Sequence, residues 1–63
     1  MQIFIEKYRL KRGFSLSELE RRSGVAKSHI HNIENGTTNP TVSVLCKIAQ
    51  GLNVPCCDLF SCD

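Results

Sequence analysis

Residues 15–36 read SLSELERRSGVAKSHIHNIENG, and the fold turns on this stretch. Ser15 and Glu18 have the S-x-x-E spacing of a capping box, which satisfies free amides at a helix start. Leu16 and Leu19 fall on one side of the helix that follows. Ser23 and Gly24 break it, because glycine takes the left-handed conformation that ends a helix and turns the chain. Val25 is an apolar plug under the turn. A second helix, residues 26–35, stops at Gly36. At about 100° per residue, Ala26, Ile30 and Ile33 share one side of it. Lys27, Ser28, His31, Asn32 and Asn35 share the opposite arc. Two helices joined by so short a turn form a helix-turn-helix. A helix pinned by two isoleucines, with only hydrogen-bonding side chains turned outward, is suited to reading a polar surface.

Outward from this unit, residues 2–12 are expected to form a first helix that ends at Gly13. Ile5 and Tyr8 face inward, with Phe4 and Leu10 as further inward candidates, while Lys7, Lys11 and Arg12 are outside. Phe14 packs across the break. Downstream, Thr37, Thr38, Asn39 and Pro40 form a loop, and Pro40 suits the entry to another helix. Thr41 is a candidate N-cap. Val42, Leu45, Cys46, Ile48, Ala49 and Leu52 give residues 41–52 the richest apolar face, weakened near its end by Gly51. Asn53, Val54 and Pro55 connect to a last short helix, residues 56–60, whose Leu59 and Phe60 cover the bottom of the core. Residues 1–63 read as a single domain without repeats or linkers.

A chain of 63 residues has room for one small core, since a domain of this size buries only about 60% of its unfolded surface. Little is left for an enclosed catalytic pocket. Glycine-rich phosphate loops, nucleophile elbows and paired acids are all missing, so the chain does not read as an enzyme. The net charge is +2, unevenly placed: residues 1–27 carry +4 and residues 28–63 carry −2. A basic half suits contact with phosphate. The opening Met-Gln-Ile-Phe-Ile is too short for a signal peptide or membrane span and is followed at once by charge.

Four cysteines, Cys46, Cys56, Cys57 and Cys62, are confined to the last third. With strong helix signals throughout, they read as reduced thiols of a cytoplasmic protein. Cys46 lies on the apolar face of residues 41–52, and Cys57 and Cys62 are expected to be exposed. A C-C-x4-C cluster is not a zinc spacing, and His29 and His31, about 200° apart on a helix, cannot grip one metal together. No metal or cofactor is expected. Cys56 and Cys57 open a predicted helix, a position that lowers thiol pKa and suits redox sensing.

The whole set of residues in register resembles the Cro/C1-type helix-turn-helix family of phage-repressor-like DNA-binding domains. The match runs over about residues 3–60. It is carried by Ile5 and Arg9; Ser15, Glu18 and Leu19; Gly24 and Val25; Ile30, Ile33, Glu34, Asn35 and Gly36; and Asn39 and Pro40. It continues through Leu45, Lys47, Ile48, Ala49 and Leu52, then Val54 and Pro55, and ends with Asp58, Leu59 and Phe60. The resemblance implies an all-α domain of five short helices, the third inserted in the DNA major groove. It also implies a partly buried ion pair between Arg9 and Glu34. A carboxylate at the edge of the apolar arc, where Glu34 lies, needs a partner in any case.

The family's base-reading positions fall on Lys27, Ser28, His31 and Asn32. Lys27 can donate to guanine, Asn32 can pair with adenine in bidentate fashion, and Ser28 and His31 offer less selective contacts. His29, about 200° from Lys27, is off the reading arc. Phosphate candidates are the backbone amides at Ser15 to Ser17, then Asn35, Thr37, Thr38 and Arg12. The family usually has glutamine where this chain has Leu16. That glutamine contacts the DNA backbone and steadies the start of the recognition helix, and leucine can do neither. The resulting expectation is a sequence-specific regulator, most simply a repressor, of double-stranded DNA. It would act as a homodimer on a near-palindromic operator with half-sites about one helical turn apart. Pairing would use the last two helices, with Val54, Cys57, Leu59 and Phe60 at the seam. The alternative is a protein-interaction module of the same fold that has lost DNA.

Overall fold

The computed structural model describes residues 2–61; Met1, Cys62 and Asp63 lie outside the described residues, and so does the expected exposure of Cys62. The order is β1 (Gln2–Ile3), α1 (Ile5–Lys11), α2 (Leu16–Ser23), α3 (Lys27–Glu34), α4 (Val42–Leu52), a 3-10 turn (Cys56–Asp58) and β2 (Phe60–Ser61). Among the described residues four α-helices, not five, carry the fold. The expected last helix is a single 3-10 turn that runs into a strand.

The first helix likewise starts at Ile5 and not at residue 2. Gln2 and Ile3 pair antiparallel with Ser61 and Phe60, and the Phe4 amide donates to the Leu59 carbonyl at 2.8 Å. The run Gln-Ile-Phe-Ile is rich in residues that favour strands and lacks a capping side chain. Extended pairing therefore wins over helix until Ile5.

Ile5, Leu19, Ile30, Ile33, Leu45, Ile48, Leu52 and Leu59 are fully buried, and Val25 and Ala49 complete the core. Three apolar expectations fail. Leu10 and Val42 are about two-thirds exposed, and Ala26 is the exposed N-cap of α3. All three lie at helix ends, where helical periodicity continues but no neighbouring element remains to cover them. Leu59 is fully buried and cannot form a seam with another molecule. Cys46 and Cys56 are half-buried and Cys57 is exposed.

The boundaries are set by the residues expected to set them. The Ser15 hydroxyl accepts the Glu18 amide at 3.1 Å, and Thr41 accepts the Val44 amide at 3.2 Å. The capping box is only half formed. Glu18 turns its carboxylate outward to Arg21 and to Arg22 Nε, the latter at 2.7 Å. These bonds, that of Arg21 foremost, hold its carboxyl below the usual range. Gly24 has φ +77°, which lets α2 turn into α3.

Gly51 serves α4 in a way that helix propensity hides. A Cβ there would lie 3.0 Å from both the Cβ and the backbone nitrogen of Ser23, so glycine lets α4 lie against the end of α2. Gly51→Ala should therefore lose about 1 kcal/mol, where an open helix position would gain about that much. Urea titration reads the sign directly.

Candidate nucleic-acid interface

Helix α3 is eight residues long, too short to persist alone in water. It is held from behind. Ile30 and Ile33 are 0% and 1% exposed, and Val25 closes the turn before it. On the opposite arc Lys27, Ser28, His31, Asn32 and Asn35 are all exposed. His29 is exposed too, on the flank beside Ile33, away from that arc.

The N-terminus of α3 has no capping side chain of its own, because Ala26 occupies the cap. Glu20 supplies one from α2: its carboxylate accepts the Lys27 amide at 3.1 Å. Leu16, where the family carries glutamine, is partly buried against the core. Glu20, one turn along α2 from Leu16, steadies the start of α3 here. Sequence reasoning missed this residue. The only signal was negative, an alanine where a capping side chain belongs.

The other end of α3 is tied by Thr37. Its amide donates to the Asn32 carbonyl at 3.0 Å, and its hydroxyl donates to the same oxygen at 3.1 Å. That hydroxyl proton is thus turned inward. Arg12 is also engaged, donating to the Asn53 carbonyl at 3.2 Å. Asn35 Nδ2 lies 2.9 Å from His31 Nε2. When Asn35 donates, His31 is neutral and carries its proton on Nδ1. Ser15 and Ser17 are exposed at the N-terminus of α2, where free amides and the helix dipole favour an anion.

Arg9 locks this surface to the rest of the molecule. Its Nε donates to one Glu34 oxygen at 2.9 Å and its Nη2 to the other at 3.2 Å. A third bond runs from Nη1 to the Phe14 carbonyl at 3.0 Å. The two side chains are 12% and 5% exposed. The Glu34 bond raises the guanidinium pKa further, against the opposing effect of burial. The fork joins α1 to the last residue of α3 and fixes the rotation of α3 about its own axis.

What the arrangement offers is one rigid, uncovered row of donors and acceptors beside a basic half-molecule. Known proteins share the fold that carries it. The helix-turn-helix family model matches residues 5–59. The HTH-type transcriptional regulator SinR of Bacillus subtilis is 47% identical over 51 residues, spanning 79% of this chain and 46% of that protein. The solved N-terminal DNA-binding domain of SinR superposes with a TM-score of 0.83 at 40% identity, over 90% of this chain and 84% of that one. A structure of SinR in complex with DNA superposes with a TM-score of 0.76 at 43% identity, over 82% and 84% of the two chains. The chain spans less than half the length of the first curated regulators it matches. From the buried isoleucine pair, the tight glycine turn and this likeness along nearly its whole length, the chain belongs to the Cro/C1-type helix-turn-helix family.

Proposed function

We propose that the chain acts as a sequence-specific regulator of transcription, a repressor, that binds double-stranded DNA and lays α3 in the major groove. One observation carries this reading: a helix buried along one side through Ile30 and Ile33 presents, together with its C-cap Asn35, five exposed hydrogen-bonding side chains on the opposite arc. Lys27, Ser28, His31 and Asn32 read base edges. The amides at Ser15 to Ser17, with Asn35 and Thr38, hold phosphates. Arg12 and the Thr37 hydroxyl reach a phosphate only by giving up their present carbonyl partners. Such a regulator works in the cytoplasm; among the described residues no helix is long and apolar enough to cross a membrane.

A single domain makes few contacts, so the operator is a near-palindrome bound by two copies. With Leu59 buried and the last helix reduced to a turn, Val54, Cys57 and Phe60 remain at the seam. A monomeric mass both in solution and on DNA would remove this part of the proposal.

Selection of bound duplexes from a random pool tests the main reading. It should yield a related set of sequences, bound with an affinity that falls steeply with salt. A domain that had exchanged DNA for a protein partner would yield none. Asn32→Ala should weaken binding to the selected duplex by roughly 1–3 kcal/mol and relax preference at one base pair. Unchanged specificity would place the reading surface elsewhere.

A further inference from the structure

We propose that Cys46 and Cys56 are a disulfide-forming pair which, when oxidised, staples the C-terminal turn to α4. Cys46 lies in the middle of α4 and Cys56 opens the 3-10 turn. Both thiols are free and half-buried, and their sulfurs are 2.9 Å apart. A disulfide bond is about 2.0 Å long, so small side-chain rotations close the gap. Among the described residues the third cysteine, Cys57, is exposed and faces Asp58, which leaves Cys46 and Cys56 as the pair.

The staple falls where the chain end is anchored to the body. Val54 donates to the Ala49 carbonyl, and Asp58 and Leu59 close the turn on Pro55 and Cys56. Leu59 then enters the core and Phe60 pairs with Ile3. A covalent link between residues ten positions apart would hold this segment on α4 through any local opening.

The oxidant is a low-molecular-weight disulfide, such as oxidised glutathione. The thiolate of one cysteine of the pair, formed by loss of its thiol proton, attacks one sulfur of the small disulfide. A mixed disulfide forms and one small thiolate leaves. The other cysteine then loses its proton and attacks the protein sulfur of that mixed disulfide, expelling the second small thiolate. Two protein S–H bonds and one small disulfide become one protein disulfide and two small thiols. Two electrons pass to the oxidant.

The test equilibrates the full chain in buffers of reduced and oxidised glutathione. Mapped peptides identify the bond and thermal melting reads its effect. The expected product links Cys46 to Cys56, with the melting midpoint raised on the order of 10 °C. Cys57→Ser should leave both results unchanged, and Cys46→Ser should abolish both. The Cys57→Ser chain keeps the pair intact, so it decides the matter even where Cys46→Ser folds poorly. A bond from Cys57 to any cysteine as the main product, a stable glutathione adduct at Cys46, or a midpoint unchanged by oxidation would each overturn the proposal.

Discussion

Glu34→Ala should cost the domain about 3–5 kcal/mol of stability. The loss is large because the substitution removes half of a pair whose side chains are largely covered. Arg9 is 12% exposed and gives two of its bonds to Glu34. After the substitution it keeps the Phe14 carbonyl and a distant Glu6, 3.9 Å away. A guanidinium cannot shed its proton to escape, since it stays charged throughout the pH range of a folded protein. The charge therefore stays in place, poorly solvated and half-satisfied. Domains of this size are worth on the order of 3–9 kcal/mol in total, so the variant should be largely unfolded at 37 °C, as chemical denaturation followed by circular dichroism would show. Arg9→Met combined with Glu34→Leu should recover most of the loss, because buried ion pairs are often matched by apolar side chains of similar volume. A loss of a few tenths of a kcal/mol in Glu34→Ala alone would mean that water reaches the pair.

The parts of the fold legible in the sequence are those written in local spacing. Ser15 and Thr41 as caps, Gly24 as the turn, Val25 as the plug and Ile30 with Ile33 as the buried stripe all follow from residues within about four positions of each other. What was not legible depends on distant segments or on the ends of elements. β1 exists because residues 60 and 61 return to pair with it; nothing near residue 2 says where its partner is. Leu10 and Val42 continue a helical stripe past the last neighbour that could cover them. Glu20 caps a helix seven residues away, a distance at which no capping motif operates. The Cys46–Cys56 approach closes across ten positions and the αL residue Asn53, so periodicity is lost between them. There the sequence predicts a lowered thiol pKa at a helix start. The structure has a 3-10 turn and a neighbouring thiol, and Cys56 is pushed up instead.

The candidate interface divides the same way. Its outward arc on α3 follows from the helical period alone. The state of each side chain on it does not. The inward turn of the Thr37 hydroxyl and the pairing of Asn35 with His31 depend on the closed C-terminal end of α3. The family's missing glutamine reads as a loss at the level of Leu16, while in the structure Glu20 caps the start of α3.

Ile30→Ala should cost about 2–5 kcal/mol, and should remove DNA binding without touching a base-reading side chain. Ile30 is fully buried, at the centre of the stripe that fastens α3. Truncation removes three carbons from the core and leaves a cavity that the short helix fills only by shifting. Either outcome reaches the surface, because eight residues do not hold helical form once the packing behind them loosens. Ile30→Val, which leaves a far smaller void, should lose only about 0.5–1.5 kcal/mol. Binding measured beside thermal melting separates this effect from that of Asn32→Ala. In the isoleucine series affinity should fall in step with the folded fraction and return on cooling toward the temperature of maximum stability. In Asn32→Ala the midpoint should hold, within about 0.5 kcal/mol of stability, while affinity falls. If Ile30→Ala melted and bound as the parent chain does, α3 would be fastened by something other than its apolar stripe. The link from buried stripe to reading surface would then be broken.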